Sequence, residues 1–364
     1  MILYDSAVIP HYHDYGIMLP IPPDRGKRVL EFLGNACPVL NFAAAQALLG
    51  RNGPALCRED LERIHSAQYT AQLYGEGLTA TLLRTFELID DQGRPCRYEP
   101  DRATRPLTDL FQILVTQAGG TYLASLLALK NDAAESRGFC FYLGGGMHHA
   151  RYDAGSGFCL INDVAAAAFK VLAENPVRLI WIIDMDAHKG DGTAELIHFA
   201  RKRGALQTPG ENPATPGILT LSIHMAKGWP LDRESIASAE AGRAPLLPSD
   251  IDIGIDSGEE SQYTARLAQG IQALEQLSGR TPDLALVVDG ADPYEHDGLP
   301  SSSLLRLTLD QCLERDTYVY RYLQDRKIPS AWIQSGGYGE RAWEPPAYFL
   351  QSIAQKAVAV DSVS

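Results

Sequence analysis

The 364 residues contain no Cys-x-x-Cys pair, no excess of basic side chains and no unbroken run of apolar residues near the ~18 that a membrane span needs. Each absence removes a class. The six cysteines, at 37, 57, 96, 140, 159 and 312, are scattered and fit reduced, mostly structural thiols of a cytosol-like compartment. With 32 Lys and Arg against 45 Asp and Glu, the net charge is −13. Such a field disfavours nucleic acid and anionic membranes as partners and mildly favours cationic ones, although its ordinary meaning is solubility. The opening Met1-Ile2-Leu3-Tyr4-Asp5 has neither the basic stretch nor the long apolar stretch of a signal peptide, so a cytoplasmic protein is expected. No linker, repeat or low-complexity tract divides the chain, and residues 1–364 are expected to form a single domain.

What is present is a set of near-continuous apolar runs: Gly138 to Leu143, Val177 to Ile183, Gly217 to Ile223, Leu284 to Val288 and Ser330 to Ile333. Runs of this kind suit strands covered on both faces, as in parallel sheets. Helical patterns lie between them at Asp163 to Glu174, Glu260 to Leu277 and Leu304 to Asp325, and the first 135 residues read as mainly helical, with Phe111 to Leu129 the clearest. The alternation predicts an α/β fold: an open, mostly parallel sheet with helices on both faces and a site at the C-terminal strand ends. Residues 207–216 and 225–250 read as long irregular loops. They are candidates for covering the site or for assembly, which leaves a homo-oligomer open.

Three of the apolar runs end in metal-type ligands or bases. Asp184-x-Asp186-x-His188 alternates, so in an extended segment its polar side chains share one side while Met185 and Ala187 take the other. Burying two carboxylates there is costly without a cation or strong hydrogen bonds. A capping role explains one such aspartate better than three polar groups in alternation. Asp292, after Leu284 to Val288, is a third candidate ligand, although Gly-Ala-Asp alone reads as an ordinary turn. Two carboxylates and an imidazole leave a position open for water, as in catalytic rather than structural sites. His148 and His149 follow three glycines; paired imidazoles beside a metal can divide proton transfer from charge stabilisation, each oriented by a carboxylate, with Asp184 and Asp191 the candidates. Tyr338, after Gly336-Gly337, could aim its hydroxyl at a developing oxyanion. His11, His13 and His198 are left as ordinary surface or core histidines.

Together these segments resemble the histone deacetylase family, including its bacterial acetoin-utilisation-type and acetylpolyamine amidohydrolase-like members. The matching stretches are Gly144 to Ala150, Gly155 to Asp163, Asp184 to Thr193, Gly290 to Asp292 and Gly336 to Tyr338, with weaker matches at His65-Ser66-x-x-Tyr69 and Ser222-Ile223-His224. The resemblance implies an arginase/deacetylase-like fold and a zinc-dependent deacylase acting on N-acyl-lysine or a related acylated amine. It implies Asp186, His188 and Asp292 as Zn²⁺ ligands, His149 as proton-transferring base and acid, and His148 as its electrostatic partner. Asp184 and Asp191 would orient them, and Tyr338 would polarise the amide carbonyl. Gly157, Phe158, Trp229 and Leu299 would line or flank the acyl channel. Fe²⁺ or Mn²⁺ also suits an oxygen-rich set. A K⁺ held by backbone near Asp184, Asp186, His188, Ser222 and Ile223 is a family feature.

The chain departs from the family pattern at Lys189 (a non-ligand position), at Trp229-Pro230 with Leu231-Asp232-Arg233 after it, at the loop 207–216, and at Ser335, which replaces a glycine. Lys189 leaves the chemistry intact and Ser335 is a small change, while the Trp229 and loop differences bear on substrate rather than reaction class. Leu299 stands near where polyamine-selective relatives place a glutamate, which leans against polyamine specificity. A binuclear Mn²⁺ ureohydrolase and a non-catalytic binding domain are the competing readings.

Overall fold

The structure is a computed structural model that describes residues 1–90, 92–130, 138–207, 217–232 and 246–361. Its strands are β1 (Ile2–Leu3), β2 (Val39–Leu40), β3 (Phe139–Tyr142), β4 (Leu179–Asp184), β5 (Gly217–Met225), β6 (Ile251–Ile255), β7 (Leu284–Asp289) and β8 (Ser330–Gln334). They form one sheet in the order β2-β1-β3-β8-β7-β4-β5-β6, and every neighbouring pair is parallel. The expected α/β architecture is therefore present, with a sheet that is wholly rather than mostly parallel among the described residues.

The apolar runs become central strands because both faces of the sheet are covered. In β4, Ile180 and Ile182 belong to the buried apolar cluster that also holds Leu123, Leu127 and Val164, while Leu179, Trp181 and Ile183 belong to the other, which holds Leu267, Ile271 and Val319. Full burial of such a side chain stabilises the fold by roughly 1.5–3 kcal/mol. The 21-residue helix Asp109–Leu129 is apolar and long enough, by composition, to cross a membrane, yet most of its surface is buried in the protein. Its hydropathy belongs to the core against the sheet.

Some boundaries differ from the sequence expectation. The helical pattern at Glu260 to Leu277 resolves into a 3-10 turn, Glu260–Gln262, and a helix, Tyr263–Ser278. The segment beginning at Leu304 turns helical only at Leu309, where Thr308 and Gln311 form a reciprocal capping box. Before it, Leu305 and Leu307 are buried while Arg306 faces out, an extended alternation. The short strand β1 and the edge strands β2 and β6 are not among the sequence-predicted runs, because a two-residue run or an Ile/polar alternation carries little pattern. The helices Asp191–Lys202 and Glu344–Asp361 were also unanticipated. Residues 208–216 of the first irregular loop and 233–245 of the second, including Arg233, lie outside the described residues.

The strand order places the chemistry. Asp184 is in register with Val288 and Ser222, and Asp289 with Gln334, so β4, β7 and β8 end level. Beside β8 runs β3, which feeds the glycine loop to His148 and His149. Four adjacent strands therefore open their C-terminal loops onto one spot, the position where open parallel sheets build sites.

Candidate metal centre and its histidine pair

Asp186, His188 and Asp292 converge, each offering a ligand atom within 4.8 Å of the others, and all three are buried. The His188 Nδ1 lies 2.9 Å from Asp292 Oδ2 and 3.4 Å from Asp186 Oδ1. Backbone and hydroxyl donors hold the carboxylates: Gly336 N and Ser335 Oγ each reach Asp186 Oδ2 at 2.9 Å, and Ala187 N donates to Asp292 Oδ1 at 3.0 Å. As the alternation implied, Met185 and Ala187 point into the opposite, apolar core. Asp184 shares the polar side but serves another partner.

That partner is His148, whose Nδ1 is 2.7 Å from Asp184 Oδ2; the Nδ1 of His149 is 2.8 Å from Asp191 Oδ1. The two buried rings stand 4.0 Å apart, and His148 Nε2 lies 3.6 Å from Asp186. Burial by itself would lower His148, but the charges of Asp184 and Asp186 outweigh it and raise the imidazole to about 9. For His149, burial and then the His148 charge lower it to about 4 against the pull of Asp191. Burial also opposes the charged form of His188, yet its hydrogen bonds to Asp186 and Asp292 raise it to about 10. Burial and then the Asp186 charge push Asp292 up to about 7. Asp186 is held well below the usual carboxylate range because His148 and His188 overcome its burial.

Local folding explains how the pair is aimed. Asp163 accepts from the backbone N of Gly146 and Met147 at 3.0 and 2.6 Å, pinning the glycine loop. Asn162 caps the helix Asp163–Glu174 through Ala165 N and gives its amide to the carbonyls of His148 and Ala150. His65 is buried, with Nδ1 2.7 Å from Arg151 O, and burial lowers it to about 4, so it is a neutral buttress.

Aromatic walls surround the pair. The Trp229 ring lies 4.5 Å from His149 and 5.7 Å from His188. Gly157 has φ +52°, and a Cβ there would run into the Trp229 indole and, at 2.8 Å, the His149 ring; only glycine fits. Phe158 meets Tyr338 edge-on at 6.5 Å. Burial and then the Asp292 and Asp186 charges hold the Tyr338 phenol well above its ordinary value, so it stays a donor. Leu299 is half-buried on the loop after Asp292, its N donating to Asp297 Oδ1 at 2.8 Å. Lys189 turns away from the centre to pair with Asp252 on β6. His11, His13 and His198 are exposed.

Residues 19–347 match the histone deacetylase domain. The chain belongs to the histone deacetylase family. Similar proteins include an uncharacterized protein of Picosynechococcus sp., 29% identical over 63% of this chain and 64% of its own length. Histone deacetylase 2 of Arabidopsis thaliana is 25% identical over 82% of this chain and 66% of its own. Acetoin utilization protein AcuC of Staphylococcus aureus is 30% identical over 56% and 46%. The chain thus spans less than two thirds of the length of each.

Several residues of this histone deacetylase-family site escape sequence reasoning. Ser335, read from sequence as a small change, places its hydroxyl on a candidate ligand. Arg25 donates to the carbonyls of Ser335 and Gly337 at 2.8 and 3.0 Å, from 310 and 312 positions away in the chain. Arg315 is fully buried, paired with Asp289 and Asp316, and donates to the carbonyls of Met185 and Gly290 at 3.1 Å. It thereby ties the β4 and β7 loops together. A lone arginine on an amphipathic helix carries no signal of this.

Proposed function

We propose that the chain is a metal-dependent deacylase hydrolysing the amide of an N-acyl-lysine, in protein or peptide, or of a related acylated amine. The observation that carries this is a pair of buried imidazoles 4.0 Å apart, His148 and His149, each hydrogen-bonded to its own carboxylate, set against the Asp186–His188–Asp292 cluster. The donor set fits a divalent ion, because two buried carboxylates and an imidazole converge there, and the burial and Asp186 repulsion that lift Asp292 are what such a cation relieves. Asp186, His188 and Asp292 would hold it; zinc is favoured by family resemblance, while Fe²⁺ or Mn²⁺ suits the oxygen-rich set. When bound, the ion supplies Lewis acidity toward water and a carbonyl oxygen.

The chain's own residues do the rest. His149, oriented by Asp191, takes a proton from the attacking water and returns it to the leaving amine. His148, held cationic by Asp184, stabilises the negative charge that develops beside it. The Tyr338 hydroxyl donates to the oxyanion. Gly157, Phe158 and Trp229 form the walls that take an extended acyl-amine chain and exclude water. Ser222, in register with Asp184, has a buried hydroxyl with no hydrogen-bond partner, which supports a K⁺ beside the backbone of Asp184 and Ile223. Six unpaired cysteines support a reduced, cytoplasmic setting.

A second reading, a binuclear manganese ureohydrolase, draws on the second triad, His148, His149 and Asp186, which shares Asp186 with the first. That triad adds no carboxylate beyond the shared Asp186, which disfavours a second cation. Metal quantification alongside turnover of acetyl-lysine peptide and acetylputrescine tests both. One divalent ion per chain and faster peptide hydrolysis, lost on chelation and restored by Zn²⁺, is expected. Two manganese ions would favour the ureohydrolase; inactivity of the metal-loaded protein toward a broad acyl-amine panel would favour a binding domain.

A further inference from the structure

The loop after Asp292 carries a device that the deacylase reading does not use. Asp297 gathers three donors: Leu299 N and Ser302 Oγ on Oδ1, both at 2.8 Å, and Tyr338 N on Oδ2 at 2.7 Å. One carboxylate thus fastens the 3-10 turn Pro300–Ser302 to the backbone of Tyr338. The turn sets Ser301 Oγ 3.2 Å from His188 Nε2. The other ring nitrogen, Nδ1, faces Asp292 and Asp186. Ser301 is exposed, so its hydroxyl contributes nothing to the core.

We infer that Ser301 is the positioning residue for His188: it accepts the Nε2 hydrogen and so, once a divalent ion displaces the Nδ1 proton, keeps the Nδ1 lone pair directed at the space between Asp186 and Asp292. The inference rests on the reading that these three residues hold a divalent ion. A neutral imidazole carries one hydrogen and one lone pair, and the hydrogen bond on one nitrogen decides which nitrogen can act as ligand. Outer partners of metal-ligating histidines typically set about 10–100-fold in metal affinity. Because Asp297 also holds Tyr338, the same turn fixes the spacing between the metal ligand and the oxyanion donor. An incidental contact at the rim makes the opposite prediction, since losing it changes nothing at the metal.

The test is Zn²⁺ titration of metal-free wild type, Ser301→Ala and Ser301→Thr in competition with a chromophoric chelator, with melting temperatures of the metal-free forms measured in parallel. Zn²⁺ binding about 10–100-fold weaker in Ser301→Ala, near wild type in Ser301→Thr, with unchanged metal-free melting, is the expected result. Equal affinity of Ser301→Ala and wild type overturns the inference and leaves the metal centre standing. Equal losses in both variants overturn it too, because threonine keeps the hydroxyl. Failure of the wild type to bind any divalent ion removes the metal reading itself, a distinct outcome.

Discussion

His148 and His149 are adjacent in the chain, with ring centroids 4.0 Å apart, yet their surroundings drive them in opposite directions, His148 up to about 9 and His149 down to about 4. In the metal-free protein, nitrogen-resolved NMR of the imidazoles should show two separated titrations. The signs follow from linkage. The raised His148 contributes stability that is complete below its unfolded value near 6.5 and is lost as pH rises through about 9. The depressed His149 costs stability as pH falls from 6.5 toward 4, where the unfolded chain binds a proton that the folded one refuses. Two rings titrating together near 6.5 would remove the division of labour proposed here.

Tyr338 lies on the loop after β8 with its phenol held protonated by burial and nearby carboxylates. On the proposed mechanism, Tyr338→Phe removes the oxyanion donor and no metal ligand. Turnover should fall about 10²–10³-fold with metal content intact. Loss of the metal in this variant would mean that the tyrosine has another task.

Trp229 stands against both His149 and the glycine at 157, where the proposed function makes it a wall of the acyl channel. Trp229→Phe should shift preference between short and long acyl groups, read as the ratio of kcat/KM values across an acyl-length series. An unchanged profile places the indole outside the substrate path.

Arg315 has four hydrogen bonds and no exposure, and its removal leaves Asp289 and Asp316 facing each other without a counter-charge. Arg315→Met should destabilise the fold by about 3–5 kcal/mol, seen as a lower urea midpoint. A midpoint matching wild type would show that the buried pair is not needed to join the two loops.

Legibility in the sequence follows physical rules. Central strands β3, β4, β5, β7 and β8 were readable because burial on both faces demands continuous apolar runs; β6, at an edge, keeps an Ile/polar alternation and was not. Asp184, Asp186 and His188 were readable as a group because local alternation already sorts them from Met185 and Ala187. Ser301 and Arg315 were not, because a serine in a turn and an arginine in an amphipathic helix look the same whether or not they reach a ligand or its loop.

The amino-acid order alone determined the fold class, the family resemblance and which acidic, imidazole and phenol groups are candidates for chemistry, because each sits in a motif whose spacing is local. Only the tertiary structure decided how they are used. The opposite shifts of two neighbouring histidines, the serine behind His188 and the arginine beneath the β4 and β7 loops depend on through-space burial and charge between residues more than a hundred positions apart, such as His188 and Ser301 or Met185 and Arg315, or many tens apart, such as His149 and Asp191.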